Sequence, residues 1–117
     1  MQIENELLQK NRKSNVPQIL CGDMNVERSV KDEYHFMIEQ LNAEDGEIIT
    51  EQKETYDSKI NPLADPNTTT TFDYILLRKN GAKINVLERA IHIFKGNWKK
   101  GKDDLSDHFG LTCEIEF

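Results

Sequence analysis

Three apolar segments are each interrupted by a carboxylate at or near one end: "QILCGDMN" at Asp23, "TFDYILL" at Asp73 and "LSDHFGL" at Asp107, where His108 follows at once. Side chains two apart in an extended chain project from the same face, so Asp23 and Asn25 stand side by side as the first segment ends. A carboxylate binds a hard divalent cation or orients a base, and a histidine moves a proton near neutral pH. A carboxamide hydrogen-bonds a developing oxyanion without titrating. Together these are the parts needed for metal-assisted hydrolysis of a phosphate ester. Singly they signify less. Gly, Asp and Asn are the usual residues for leaving a sheet, and Ser106-Asp107 alone is an ordinary turn. Ser106, Asp107 and His108 do not make a serine relay, because adjacent side chains in an extended segment diverge.

Several elements must position these groups. Ile3, Leu7 and Leu8 recur at helical spacing before the polar stretch that leads to Pro17, and residues 18–22 read as a strand. Ser29 and Asp32 resemble a capping box opening a helix over 30–43, with Val30, Tyr34, Met37, Ile38 and Leu41 on one face. Residues 44–71 are polar and broken by Asn61-Pro62, Asp65-Pro66 and a threonine run, which predicts a long loop with a short strand near Ile48-Ile49. Loops of that length are often functional. The segment "TFDYILLRK" predicts a strand buried on both faces, and Asn80-Gly81 a hairpin into the strand "AKINVLERAIHIF". The lysine-rich "KGNWKKGKDD" predicts an exposed loop. In the final segment Phe109, Leu111, Cys113, Ile115 and Phe117 alternate with polar or small residues, as in a half-buried strand. This is a mixed α/β chain that fits either an α+β domain or half of a layered sandwich.

At 117 residues the chain is one domain at most. Its net charge of −6 argues against tight duplex nucleic-acid binding through its own side chains, since that affinity comes mainly from Lys and Arg. A cation-dependent phosphodiesterase stays compatible with it. No run approaches the ~20 apolar residues of a membrane span, and the first residues lack the pattern of a signal peptide. Cys21 and Cys113 lie in apolar contexts without zinc-ligand spacing, and are expected as buried free thiols, with a disulfide left open. The compartment is therefore left open as well.

The ordered motifs "CGDMN", "TFDYILL" and "LSDHFGL" closely resemble the last three of the endonuclease/exonuclease/phosphatase superfamily, the DNase I-like fold. The resemblance spans Ile19 to Phe117. It implies the C-terminal half of a four-layer α/β sandwich, a mixed and mostly antiparallel sheet with helices on one face, so that residues 1–117 form a single partial domain. It also implies roles. Asp23 would position or deprotonate the attacking water, and Asn25 would hydrogen-bond a phosphoryl oxygen. Asp73 would orient His108, Asp107 would serve a magnesium or other divalent ion, and His108 would contact the scissile phosphate. The stretch from Thr55 to the "FDYI" strand, with Thr55-Tyr56-Asp57 and Asn61-Pro62, is similar to the sphingomyelinase branch. There Tyr56 and Asn61 are candidate substrate contacts, and Trp98 in "FKGNWKKGK" stands where that branch places an aromatic membrane-contacting hairpin. A nuclease or an inositol-phosphate phosphatase is the alternative activity, and a non-catalytic interaction module the alternative class.

The first half of such a fold supplies a metal-binding glutamate and a second histidine, and neither has a counterpart here. Glu4 and Glu6 fall on the first helix and His35 within the second. The expected partners are therefore the missing N-terminal half, a phospholipid or other phosphodiester, a membrane surface at Trp98, and a second copy through an exposed sheet face. Divalent metal is expected to bind weakly to the chain alone, and Met1 is expected to be introduced or internal to a longer protein.

Overall fold

In a computed structural model, residues 2–100 and 102–117 are described, so the expectations for Met1 and for residue 101 of the lysine-rich segment lie outside them. The chain opens with one helical turn of π type, Ile3–Leu8, which buries Leu8 and leaves Leu7 exposed. Strand β1 is Gln18–Asp23, helix α1 is Lys31–Leu41, and two-residue strands β2 (Tyr56–Asp57) and β3 (Thr69–Thr70) pair with each other. Then follow β4 (Asp73–Arg78), β5 (Asn85–His92), β6 (Lys95–Lys99), β7 (Lys102–Asp104) and β8 (Gly110–Glu116). All pairing is antiparallel, in the order β1-β4, β2-β3, β5-β8 and β6-β7.

The alternation along β1 and β4 builds the main core. Leu20 stands opposite Leu76, and with Tyr74 they face α1, where Met37 and Leu41 close the cluster with Leu8 and Ala43. Arg78, also on this side, is buried. Its guanidinium donates to the Leu41 carbonyl at 3.0 Å and pairs with Glu4, which docks the first turn onto the helix end. The opposite side of the same pair carries buried Leu77 and half-buried Ile75 on β4, as the expectation of a strand buried on both faces required, beside Ile19 (44% exposed) and exposed Cys21 on β1. A second small core joins Ile48, Ile91 and Phe109, with Leu111 against it. The radius of gyration is 15.9 Å, against about 13 Å for a compact domain of this length, and the longest extent is 52 Å.

Several expectations need correction. Ser29 does not cap α1: the residue before the helix is Val30, and the Ser29 hydroxyl pairs with that of Thr70 at 2.9 Å. Tertiary pairing has outbid the local cap. The helix ends where Asn42 takes the left-handed conformation (φ 45°), which carries its N–H back to Glu39 and Ile38 carbonyls. Asn80 and Gly81 do turn with positive φ, but β4 and β5 do not pair across them; β4 takes β1 and β5 takes β8. No strand forms at Ile48-Ile49, although the Ile49 N–H reaches the Arg89 carbonyl at 2.9 Å. The lysine-rich segment is a pair of strands, β6 and β7, rather than a loop. Cys21 is exposed and Cys113 half-buried, both as free thiols, because the cover on that side of the sheet lies over β4 and stops short of β1. Leu87 is an extra residue between Val86 and Glu88 where the β5–β8 register shifts, and the bulge turns it outward.

β4 and β8 lie alongside each other without a shared ladder. A single buried side chain helps hold the two pairs together. The Arg89 guanidinium, on β5, donates to the Ile75 carbonyl on β4 at 3.1 Å and lies 3.7 Å from the Asp45 carboxylate. Gly46 is what admits it, since a Cβ there would stand 1.9 Å from the guanidinium.

Candidate active site

The ladder between β1 and β4 ends by placing Asp23 directly opposite Asp73. Like charges in facing positions repel, so a sheet gains nothing from this pair alone. The His108 imidazole lies against both carboxylates. Its Nδ1 donates to Asp73 Oδ2 at 2.7 Å, and its Nε2 stands 4.0 Å from Asp23 Oδ2. Burial alone lowers the imidazole pKa. The hydrogen bond and charge of Asp73, with the charges of Asp107 and Asp23, outweigh it and raise the pKa above its ordinary value.

The backbone turns sharply between Gly22 and Asn25. Gly22 has φ 152°, and Asn25 has φ 51°, a left-handed conformation that asparagine tolerates better than most residues. The Asn25 N–H donates to Asp23 Oδ1 at 2.8 Å, which fixes the carboxylate. The Asn25 side chain is exposed, and among the described residues its carboxamide makes no hydrogen bond. Asp23, Asn25, Asp107 and His108 line one cleft of about 350 Å³, together with Glu27, Tyr56, Asp65, Thr68 and Phe72. Asp73 lies behind His108, half-buried. The structure thus brings together Asp23, Asn25, Asp73, Asp107 and His108. Trp98 is elsewhere: it lies on β6, 53% exposed, with its indole N–H donating to the Asp104 carbonyl at 2.7 Å.

Tyr56 and Asn61, expected above as substrate contacts, are placed differently. Tyr56 is buried, its hydroxyl accepts the Asp65 N–H at 2.6 Å, and its ring stands edge-on to His108 with centroids 5.0 Å apart. It walls the histidine. Asn61 is 1% exposed, and both ends of its amide are engaged: Nδ2 donates to the Ser106 carbonyl at 2.8 Å, and Oδ1 accepts the Leu63 N–H at 2.9 Å. The composition of the 55–61 stretch gave no signal for Thr55, which is fully buried; its hydroxyl accepts the N–H groups of Phe72 (3.2 Å) and Asp73 (3.4 Å).

The buried Asp57 carboxylate organises this stretch. It accepts from the Lys59 N–H (3.0 Å), the Gln52 amide (3.2 Å) and the Thr69 hydroxyl (3.0 Å). Burial opposes its charge, but these donors and the nearby Lys59 charge bring its pKa below the ordinary carboxylate value. A depressed folded-state pKa adds stability above the unfolded-state value of about 3.9, and that stability is lost as pH falls through the folded value. Thermal unfolding followed downward from neutral pH is therefore expected to show an acid limb, shallower in Asp57→Asn. Equal slopes in the two proteins would remove Asp57 from the acid response.

The ligand atoms of Asp23, Asp73 and His108 all lie within 4.8 Å of one another, close enough to share one ion. Asp73 Oδ2 is already the acceptor for His108, however, so these three groups form a hydrogen-bonded relay more readily than a cage. The oxygen-rich cleft suits a hard divalent cation better, because such ions take one or two carboxylates and keep several waters. Asp107 is exposed there, and the Ser106 hydroxyl donates to its carboxylate at 3.3 Å.

No protein-family model matches the sequence, and no curated protein matches it significantly. Among solved structures, an endonuclease/exonuclease/phosphatase family protein from Leptotrichia buccalis C-1013-b is similar. Its TM-score is 0.59 at 20% identity, covering 93% of this chain and 40% of that one. At such identity the likeness establishes the fold: this chain has the α/β, DNase I-like fold of that protein. It spans less than half of that structure's length.

Proposed function

We propose that this chain carries the histidine-side catalytic groups of a divalent-metal-dependent phosphodiesterase, sphingomyelinase-like in substrate. The observation that carries the proposal is the alignment of Asp73, His108 and Asp23 along the wall of one cleft, at 2.7 and 4.0 Å. The gap between His108 Nε2 and Asp23 Oδ2 can be bridged by one oxygen within hydrogen-bond reach of both. Asp23 orients an attacking water and draws on its proton. The Asn25 carboxamide donates to a phosphoryl oxygen as charge builds there. His108, held by Asp73 with Nδ1 protonated, presents Nε2 to the phosphate and stabilises its charge or transfers a proton. Asp107 would hold the magnesium or similar ion, which supplies Lewis-acid polarisation of the phosphoryl oxygens.

The choice of sphingomyelin rests on the "TYD" and Asn61-Pro62 stretch and on the exposed apolar side chains around β6 and β7. Phe94 (60% exposed), Trp98 and Leu105 (58%) stand beside lysines, a composition that suits an anionic or zwitterionic headgroup layer. The exposed edge along β1, with Ile19 and Cys21, is the proposed seat of the other half of the fold, or of a second copy in its absence.

The test is magnesium-dependent hydrolysis of sphingomyelin, a phosphodiester chromogen and DNA, by the chain alone and after joining to a supplied N-terminal half. Inertness alone with sphingomyelin hydrolysis on joining is expected. Cleavage of DNA but not lipid would replace the substrate, and inertness of a folded, joined protein would favour an interaction module.

A further inference from the structure

We infer that residues 55–61 are a clasp that sets the Asp73–His108 hydrogen bond, with Thr55 and Asn61 as positioning residues for the pair. Asp73 and His108 belong to different parts of the fold. Asp73 opens β4, which is laddered to β1, whereas His108 precedes β8, which is laddered to β5. No ladder joins β4 to β8, so strand pairing fixes each residue within its own pair and leaves the spacing between them unset. A 2.7 Å hydrogen bond tolerates only a few tenths of an ångström of drift before it weakens.

The 55–61 segment is bonded to both sides at the residues flanking the pair. On the Asp73 side, the Thr55 hydroxyl accepts from the N–H groups of Phe72 and Asp73. On the His108 side, the Thr55 carbonyl accepts the Phe109 N–H at 2.7 Å, and Asn61 Nδ2 donates to the Ser106 carbonyl at 2.8 Å. One residue, Thr55, thus holds the backbone of Asp73 with its hydroxyl and that of Phe109 with its carbonyl. Tyr56, next in sequence, lays its ring against His108, and the Asp57 carbonyl accepts the Asn61 N–H at 2.9 Å, closing the segment on itself. Both positioning side chains are fully buried, so these bonds form out of competition with water. The functional meaning of the clasp rests on the phosphodiesterase proposal, but its test does not.

The readout is the His108 Nδ1 proton, which a short bond to a carboxylate shifts far downfield in proton NMR, assigned by its disappearance in His108→Ala. Thr55→Val removes the hydroxyl at nearly constant volume, and Asn61→Asp removes the donor to Ser106 while keeping an acceptor. In both, the signal is expected to vanish while the remaining amide spectrum stays dispersed. Thr55→Ser, which keeps the hydroxyl, is expected to retain it. Persistence of the signal in both Thr55→Val and Asn61→Asp overturns the clasp.

Should a variant fail to fold, amide exchange in the unsubstituted protein decides. The N–H groups of Asp73, Phe109 and Leu63 are expected to open in one event, and independent opening overturns the proposal. Loss of the signal in the variants alongside an inert joined enzyme would keep the clasp and remove the phosphodiesterase. A persistent signal alongside an active enzyme would do the reverse.

Discussion

In a joined, active enzyme, His108→Ala is expected to lower kcat/KM for a phosphodiester by about 10² to 10⁴, the range for losing a positioned proton-transfer or charge-stabilising group. Asp73→Asn is expected to cost a similar factor, near 10⁴, although it changes almost no volume. A neutral carboxamide can donate to Nδ1 as readily as accept from it, so it no longer holds the tautomer that presents Nε2 correctly. The double variant should be no worse than the poorer single one, because the residues act as one unit. Steady-state kinetics on the four proteins tests this, with unfolding curves to confirm equal folding. A loss of less than tenfold in both single variants would take the pair out of the chemistry.

The largest effect on stability is expected from Leu76→Ala. Leu76 is 0% exposed at the centre of the β1–β4–α1 core, between Leu20, Tyr74 and Leu41. Truncating a fully buried leucine costs about 2–5 kcal/mol, depending on how far the walls collapse. Whole domains have only about 5–15 kcal/mol to lose. Denaturant unfolding should therefore show a midpoint that falls sharply at nearly constant slope. Ile19→Ala, on the opposite side of the same strand pair, is the contrast: it is expected to cost under about 1 kcal/mol, since the side chain is already 44% exposed. If the two variants unfolded alike, the helix-covered side would not be the core.

What was legible in the sequence follows from the range of the interactions. The strands around Leu20 and Leu76, and the helix through Met37 and Leu41, write their burial into local periodicity. Asp23, Asn25, Asp73, Asp107 and His108 are legible by another route, because their residue types are chemically distinctive and interrupt apolar runs. Ser29 was read wrongly because its local signature as a cap lost to Thr70, a residue 41 positions away. The Asn80-Gly81 turn was legible, but which strand each flanking segment would pair with was not, since a turn's chemistry says nothing about distant partners. Tyr56 and Asn61 were read as substrate contacts; the fold sets Tyr56 in the cleft wall against His108 and Asn61 against the Ser106 carbonyl. Nothing in an asparagine's identity distinguishes a donor to substrate from a donor to the Ser106 carbonyl, and burial decides it only after folding.

The division of the cleft between two strand pairs has a consequence in time. Joining β1 to β4 brings together residues as far apart in the chain as Asp23 and Asp73, and pairings of such separation form slowly. Helix α1 and the β6–β7 turn depend on neighbours and can arise early. The histidine enters only when β8, which follows β1 and β4 in the chain, finds β5 and is drawn against β4. A chain made only as far as β4 therefore holds Asp23 facing Asp73 without the imidazole that lies against both. The row of Asp23, His108 and Asp73 is thus assembled late, after the strand pair that carries its two carboxylates.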